Sequence, residues 1–325
     1  MTFQRSLISG LACAAALAVA GCATLTPATQ PPAVSAERLM ADVTVLAADD
    51  MQGRAIGTEG NRLAREYILR RFAEEDLQPV DDDYLLPFTA APTARRLNAL
   101  NGINVAGVVR GTEHPDQWIV ATAHYDHEGV RDGQIYNGAD DNASGTSALF
   151  ELARLLRLSP PRHSVMLVAL DGEEAGLLGA RAFVANPPVP LASMMLNLNL
   201  DMVSRGDNGI LWAVGTRQYP GLIPLIDALP QQPGIERRYG YDDPAVTGRN
   251  NWVMLSDQGA FHAVGVPFVF FSVDDHPDYH QPSDDAERID AAWYRGAIQI
   301  AHDTLRAVDA TGPDLRATAT ARPAH

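Results

Sequence analysis

Short unbroken runs of apolar residues recur along the chain, and longer stretches with helical periodicity separate them. Runs of this length, bounded by turn residues, are typical of strands that are buried on both faces of a sheet. The predicted strands are INVAGVV (103–109), WIVATA (118–123), SVMLVAL (164–170), MMLNLNL (194–200) and VPFVFF (266–271). They indicate a sheet that carries helices on both of its faces.

The amphipathic stretches between these runs predict the covering helices. Thr58 is a suitable N-cap for the first helix, whose apolar residues recur at helical spacing: Leu63, Tyr67, Ile68 and Phe72. Further helices are predicted over residues 143–158, 173–184 and 291–308. Strands that alternate with helices in this way predict an α/β fold: three α/β/α layers around a central, mostly parallel mixed sheet, in a single domain. Ligands of such sheets bind beyond the carboxyl ends of the strands.

The first 21 residues have the pattern of an export signal. Arg5 is their only charge, and the apolar run that follows is too short for a comfortable transmembrane helix. The sequence VAGC (19–22) resembles a bacterial lipobox, which predicts lipidation of Cys22; ordinary signal cleavage near Ala20 is the alternative. Because Ala23 gives no inner-membrane retention signal, we expect an exported protein anchored by lipid to the periplasmic face of the outer membrane.

The remaining chain divides into three parts. Residues 22–36 are rich in Pro, Ala and Thr and predict a flexible tether. Residues 37–310 contain every predicted strand and helix, with no low-complexity break and no internal repeat, so they form one folded domain. Residues 311–325 predict a disordered tail.

Composition excludes several kinds of chemistry. The net charge is −15, which argues against a nucleic-acid partner but is compatible with bound metal cations. All 25 basic residues are arginine. The absence of lysine excludes a Schiff-base lysine, a Ser-Lys dyad and a phosphate-loop lysine. If Cys22 is acylated, Cys13 leaves with the export signal and no other cysteine remains, so the mature chain has no disulfide framework and no catalytic thiol.

Carboxylate and imidazole side chains follow almost every predicted strand. They lie at the sheet edge where an α/β protein places its site, and they are His124, Asp126, His127, Asp140, Asp141, Glu173, Glu174, Asp201, His276 and His280. Asp, Glu and His without cysteine suit zinc, or less well manganese or cobalt. The sequence therefore predicts a metal site at this edge.

The adjacent pair Glu173-Glu174 follows the most apolar strand directly. Acidic residues are common in the first turn of a helix, where they need no other role. In a helix, however, neighbouring positions point about 100° apart, so the two carboxylates can serve different functions. The local sequence leaves both interpretations open.

The motifs together resemble the co-catalytic di-zinc aminopeptidases, whose relatives include glutamate carboxypeptidases and glutaminyl cyclases. The matching motifs are AHYDH, NGADDNASG, DGEEAGLLGA, NLDM and HPDYHQPSDD. The resemblance extends over residues 37–310 and implies a zinc-exopeptidase-like domain with two Zn²⁺ ions, for which Mn²⁺ or Co²⁺ are substitutes. In the metal site that the resemblance implies, Asp141 bridges the two ions. His124 and Asp201 complete the coordination of one ion, and Glu174 and His280 complete that of the other. It also implies a cis peptide between Asp141 and Asn142.

Further roles follow from the same resemblance. Glu173 is the general base, and Asp126 orients the His124 imidazole, a partner that metal-bound histidines generally need. Tyr241 and Tyr279 are both candidates to stabilise the oxyanion. Glu173 and Asp257 are candidates to bind the substrate's α-ammonium group.

The implied function is that of an aminopeptidase, which hydrolyses N-terminal residues of peptides through a zinc-activated water with a glutamate base. A carboxypeptidase or a glutaminyl cyclase of the same fold is one alternative. A carboxypeptidase would need an arginine such as Arg205 or Arg249 facing the substrate carboxylate. A non-catalytic binding lipoprotein is the other alternative, although all six ligand and base positions carry matching residues.

Several residues near the motifs are assigned no part in catalysis. Gln258 stands where the family often has histidine, which affects the pocket but none of the ligands. Asp140 is predicted to lie in a turn or behind the ligands, and His276 to help present His280. The other histidines are predicted to be structural or at the surface: His114, His127, His163, His262 and His302.

Overall fold

The chain is described by a computed structural model over residues 1–2, 32–80, 82–93 and 97–320. Within these ranges it forms seven α-helices. They are α1 (Ala36–Leu46), α2 (Glu59–Glu74), α3 (Gly145–Leu158), α4 (Leu178–Ala185), α5 (Ile223–Asp227), α6 (Gln258–Ala263) and α7 (Ala291–Thr311). Thr58 is the N-cap of α2, as predicted, and its hydroxyl accepts a hydrogen bond from the Asn61 backbone N–H. Among these helices none combines the length and hydropathy that a membrane span requires.

The same residues form eleven strands. They are β1 (Gln78–Pro79), β2 (Leu85–Ala90), β3 (Leu100–Val109), β4 (His114–His124), β5 (Gly129–Arg131), β6 (Gln134–Tyr136), β7 (His163–Leu170), β8 (Met194–Leu200), β9 (Ile210–Val214), β10 (Glu236–Tyr239) and β11 (Phe268–Ser272). Nine of them build one sheet in the order β1-β3-β7-β4-β8-β11-β9-β10, with β2 also paired to β3, while β5 and β6 form a separate hairpin.

The sheet is mixed, as predicted, and its parallel pairing is concentrated at the centre. Strands β7, β4, β8 and β11 are parallel neighbours. The pairings of β3 with β1, β2 and β7, and of β9 with β11, are antiparallel. Each predicted buried run coincides with one of the strands in this sheet, and all eight side chains of β7 are buried.

Two hydrophobic cores lie on opposite faces of the sheet. The larger core packs the sheet against α1, α2, α3 and α7. The smaller core packs the other face against α4 and α6 and includes Phe183 and Phe261. Helices on both faces give the three α/β/α layers that the alternating pattern predicts.

The register brings four strand ends to one edge. His124, the last residue of β4, is paired with Leu170, the last residue of β7. Leu200, the last residue of β8, is paired with Phe271 of β11. Whatever follows these strands in sequence is therefore placed at the same edge of the sheet, which is where the candidate ligands occur.

The ends of the domain differ from the predicted boundaries. The described residues from Pro32 to Thr320 belong to one compact unit. Val34 is buried and Ser35 caps α1, so chain that was predicted to be tether packs on the domain. At the other end Leu315 is buried, and Arg316 donates to the Met194 carbonyl, so residues 312–320 are not a disordered tail. Cys22 lies outside the described residues, and its lipidation stays a prediction.

Candidate metal centre

Three of the candidate ligands form one compact group at the end of β4. The Nε2 atom of His124 lies 3.2 Å from Asp201 Oδ1 and 3.4 Å from Asp141 Oδ1. Ligand atoms placed tetrahedrally about 2.0–2.1 Å from a zinc ion are separated by roughly 3.3 Å. The three side chains therefore have the spacing of a metal-binding group, and all are at least nine-tenths buried.

A second group meets the same aspartate from its other side. His280 Nε2 lies 3.1 Å from Asp141 Oδ2 and 3.6 Å from Glu174 Oε1. The two oxygens of Asp141 thus face two different sets of ligands. This is the arrangement that a carboxylate needs in order to bridge two cations. As the resemblance implies, the Asp141-Asn142 peptide bond is cis.

The electrostatics of this edge favour bound cations. Although burial opposes it, the pKa of Asp141 is held well below its usual value because His124 and His280 contact its oxygens. Burial raises the pKa of Asp126 and of Glu173 well above their usual values, and neighbouring carboxylates raise both further. Several carboxylates buried this close together require compensating charge. A divalent cation at each group, held by Asp, Glu and His, fits that requirement.

Both histidine ligands present Nε2 to the site and have an oxygen near Nδ1. His124 Nδ1 donates to the backbone carbonyl of Asp126 over 3.1 Å. His280 Nδ1 lies 3.5 Å from Glu128 Oε1. An acceptor at Nδ1 fixes the tautomer and leaves the Nε2 lone pair free for a metal.

The carboxylate of Asp126 has a different partner from the predicted one. It lies 3.7 Å from His124 Nδ1, and instead its two oxygens accept hydrogen bonds from the backbone N–H groups of Glu173 and Glu174, over 3.0 and 3.3 Å. Asp126 therefore positions the glutamate turn through its side chain and the His124 ring through its backbone.

The glutamate pair does not begin a helix, contrary to the prediction for residues 173–184. Glu173 and Glu174 lie in a turn, and α4 starts only at Leu178. Gly172, Gly176 and Leu177 all have positive φ, of 75°, 109° and 57°, which is incompatible with a helix. The turn aims both carboxylates into one cavity, so the two side chains can still have different roles.

Asp284 holds the chain that carries the bridging aspartate. Its carboxylate accepts hydrogen bonds from the backbone N–H groups of Asp140 and Asp141, each 3.1 Å long. The Asp140 side chain turns away from the ligand groups and accepts from Ser204 and from His276 Nε2. Asp140 and His276 therefore lie behind the ligands, and Asp284 is a positioning residue that the sequence analysis did not identify.

His127 was predicted to be structural or at the surface, but it lies beside the second ligand group. Its ring is buried, and Nδ1 is 2.8 Å from Glu174 Oε1. Neither atom has a hydrogen-bond partner among the described residues, so this close approach is not a hydrogen bond. His127, Asp141 and Glu174 also have ligand atoms within 4.8 Å of one another, which makes His127 a further candidate ligand beside the second group. Gly138 leaves room for the ring, since a Cβ there would lie 2.5 Å from it.

His127→Phe is expected to weaken zinc binding by roughly 10- to 100-fold, the usual effect of losing a group that orients a metal ligand. The phenyl ring keeps the volume but places no nitrogen beside Glu174 Oε1. His127→Asn, which retains a polar amide near the Nδ1 position, is expected to keep more of the affinity. Competition with a chromophoric chelator measures both; equal affinities for wild type and His127→Phe would contradict the role.

Arg54 is a buried cation whose hydrogen bonds join the loops of the site. Like Asp284, it was not predicted from the sequence. Its guanidinium donates four hydrogen bonds of 2.6–2.9 Å to backbone carbonyls, at Leu46, Tyr125, Asn137 and Gly138. Burial lowers its pKa to about 10, so it stays charged at neutral pH. Because Tyr125 follows ligand His124 and Gly138 precedes Asp141, this one side chain joins two ligand-bearing loops.

Two cavities open onto the ligand groups. The central cavity, of about 370 Å³, contains Glu173 and four of the candidate ligands: Asp141, Glu174, Asp201 and His280. The first cavity, of about 650 Å³, lies beside it and is lined by Tyr241, Trp252, Asp274 and Asp275 among others. Asp201 and Tyr279 line both cavities. A substrate can therefore reach the ligand groups from either side.

The predicted substrate-contacting residues are separated by these cavities. Tyr279 stands next to His280, with the two ring centroids 4.0 Å apart. Tyr241 lines only the first cavity, and its hydroxyl donates to Asp274 over 2.7 Å. Asp257 is fully buried and lines neither cavity, so it is not placed to touch a substrate. Burial raises the pKa of Asp257 to about 7.

A parallel-centred α/β sheet with an Asp/Glu/His cluster at its carboxyl edge is the arrangement of an α/β protein with a metal site. The chain belongs to peptidase family M28, whose family model matches residues 104–305. The matched segment contains all five candidate ligands and Glu173.

Curated relatives agree with this membership. A probable zinc metalloprotease of Leptosphaeria maculans is 36% identical over 165 residues, which is 47% of this chain and 37% of the relative. Aminopeptidase YwaD of Bacillus subtilis is 30% identical over 203 residues, which is 57% of this chain and 40% of the relative. The chain thus spans well under half the length of these two relatives.

A solved structure shows the same fold. The glutaminyl cyclase of Bacteroides thetaiotaomicron superposes with a TM-score of 0.67 at 18% identity, covering 87% of this chain and 99% of that one. The predicted fold class and the predicted family are therefore both confirmed.

Proposed function

We propose that the protein is a di-zinc aminopeptidase that releases N-terminal residues from peptides. The observation that carries the proposal is the position of Asp141, whose two oxygens face His124 with Asp201 on one side and His280 with Glu174 on the other. Family membership supports peptide hydrolysis, and the similarity to a protein named as an aminopeptidase supports the choice of terminus.

In this proposal each residue has one task. His124 and Asp201 would hold one zinc ion, Glu174 and His280 would hold the other, and Asp141 would be shared between them. Bound zinc would supply a Lewis acid, which polarises a carbonyl group and lowers the pKa of a water molecule.

Glu173 is the general base because it lines the central cavity and belongs to neither ligand group. Its carboxylate takes a proton from the attacking water and delivers it to the leaving amine. Burial raises its pKa, which favours holding that proton between the two transfers.

Tyr279 is the better placed of the two tyrosines to stabilise the oxyanion. Its ring lies against His280, and its hydroxyl has no hydrogen-bond partner among the described residues. The Tyr241 hydroxyl already donates to Asp274. A free donor directed at the position of the developing charge is what an oxyanion site requires.

The first cavity suits an N-terminal residue. The carboxylate of Asp274, whose hydrogen-bond donors among the described residues are all neutral, attracts an α-ammonium group, and the stacked rings of Tyr241 and Trp252 offer an apolar wall. The two arginines predicted for a carboxypeptidase are already paired. Arg205 is buried against Asp207 and Asp278, and Arg249 lies 2.9 Å from Asp275. These contacts argue against either of them as the group that binds a substrate carboxylate.

The proposal is tested with purified zinc-loaded protein on three substrates side by side: an aminoacyl anilide, an N-blocked peptide with a free carboxyl terminus, and an N-terminal glutaminyl peptide. Hydrolysis of the anilide is expected, and a chelator is expected to abolish it until zinc is restored. Turnover of only the blocked peptide would identify a carboxypeptidase, and cyclisation of the glutaminyl peptide alone would identify a cyclase. Activity that survives chelation would refute the metal mechanism.

A further inference from the structure

A third pocket extends the central cavity on the side away from the first cavity. It has a volume of about 300 Å³ and is lined mainly by apolar side chains; we call it the side pocket, and its lining is Leu177, Arg181, Val184, Met254, Gly259, Ala260, Ala263 and Val264. It shares Leu177, Arg181 and Met254 with the central cavity. The central cavity shares lining residues with both of the others, and we call the three adjoining cavities the groove; the candidate metal ligands line its central part.

The groove is electrically polarised along its length. The first cavity contains Asp201, Asp274 and Asp275, and its arginine, Arg249, is paired with Asp275. The central cavity and the side pocket share one basic residue, Arg181. The groove thus offers negative charge on one side of the ligand groups and a cation on the other.

Arg181 is available to a ligand. It projects from α4 and is exposed, and its guanidinium makes no hydrogen bond or ion pair with any of the described residues. Most other arginines beside the site, such as Arg54 and Arg205, are fully engaged. A planar guanidinium without a partner is well suited to bind a carboxylate in a two-point contact.

The apolar walls next to Arg181 are unusually exposed. Met254, Leu255 and Val264 are 48%, 50% and 42% exposed, and each lines the groove. Large apolar side chains that cluster at a cavity mouth mark a surface that is covered when a ligand binds. Here they would flank the residue that follows the scissile bond.

We propose that Arg181 and the side pocket form a subsite for the C-terminal residue of a very short peptide, with Arg181 binding its terminal carboxylate. This inference rests on the proposed aminopeptidase activity and narrows it to di- and tripeptides with both termini free. The N-terminal ammonium lies on the acidic side of the ligand groups, the carboxylate lies at Arg181, and an apolar C-terminal side chain enters the side pocket.

The first experiment compares Leu-Leu with Leu-Leu-amide, which differ only in the terminal carboxylate. For the wild-type enzyme kcat/KM is expected to be roughly 10- to 100-fold higher for the free acid, the usual range for a charge-assisted contact. Arg181→Gln is expected to abolish that preference and to leave hydrolysis of leucine p-nitroanilide, which has no carboxylate, unchanged. Arg181→Lys should retain part of the preference, while Arg249→Gln, the matched control in the first cavity, should retain all of it.

A second measurement does not depend on turnover. In a Glu173→Gln background, calorimetry gives the Kd of Leu-Leu and of its amide with and without Arg181→Gln. Tighter binding of the acid that disappears with Arg181→Gln supports the subsite even if no aminoacyl substrate is cleaved. Equal binding and equal hydrolysis of acid and amide by wild type would overturn it.

The two proposals can fail separately. If N-acetyl-Leu-Leu is cleaved and Leu-p-nitroanilide is not, the enzyme is a carboxypeptidase, and dependence of that cleavage on Arg181 still supports the carboxylate subsite. If the anilide is cleaved but acid and amide are not distinguished, the aminopeptidase stands and the subsite is refuted.

Discussion

Glu173→Gln is expected to keep the zinc content of the wild-type protein and to lose roughly 100- to 10,000-fold in turnover. The substitution removes a carboxylate that lies in the central cavity outside the ligand groups, so metal binding has no reason to change. The amide cannot accept the proton of the attacking water or return it to the leaving amine. Zinc content is measured by atomic emission after dialysis, and turnover by hydrolysis of leucine p-nitroanilide.

The neighbouring substitution Glu174→Gln is the matched control. Glu174 Oε1 lies 3.6 Å from His280 Nε2 and 2.8 Å from His127 Nδ1, within the second ligand group. A neutral amide there is expected to lose one zinc ion, with activity falling as a consequence. If instead Glu174→Gln kept its metal and Glu173→Gln lost it, the base and the ligand would be assigned the wrong way round.

Arg54→Met is expected to lower the free energy of unfolding by at least about 3 kcal/mol. Methionine fills much of the volume but leaves four buried carbonyls without their donor, and each unsatisfied buried group costs about 1–3 kcal/mol. Water that enters the space donates hydrogen bonds to some of these carbonyls, which reduces the total loss of stability. The loss is measured by urea unfolding of the zinc-free protein, so that altered metal binding does not contribute.

Arg62→Met is the comparison for that experiment. Arg62 is 41% exposed on α2 and pairs with Glu59 and Glu66, which are also exposed. Exposed pairs of this kind contribute about 0–1 kcal/mol. Similar losses for the two variants would show that the carbonyl contacts of Arg54 do not stabilise the domain.

Much of the architecture follows from local patterns in the chain. Runs such as residues 165–170 are apolar throughout, which favours burial on both faces of the sheet, and their alternation with amphipathic stretches indicates helices on both faces. The antiparallel edges of the sheet were not predicted, because edge strands such as β2 have no continuous apolar run. The start of α4 was misplaced because DGEEAG has helix-compatible composition, whereas the positive φ of Gly172 and Gly176 prevents a helix there.

The location of the candidate ligands was predictable for a related reason, whereas their division into two ligand groups came from the family resemblance. His124, Glu174 and Asp201 each follow a strand, and strand ends converge whatever the details of packing. The supporting groups were not predictable, because their contacts join distant segments. Asp284 meets the backbone of Asp141 across 143 residues, and Arg54 meets Gly138 across 84. No periodicity or motif spacing encodes such contacts, which depend on the folded positions of several loops.

The double role of Asp126 has a consequence for any attempt to alter this site. Its carboxylate positions the backbone of the turn that carries Glu173 and Glu174. Its carbonyl fixes the orientation of the His124 imidazole in the first ligand group. A substitution there would shift the base and ligands of both groups together, so its effects could not be attributed to one of them. Independent adjustment is available at residues that border only one ligand group, such as His127, which lies beside the second group. Substitutions at the periphery of the site can therefore change one ligand group alone, whereas a substitution of Asp126 changes the general base and both ligand groups together.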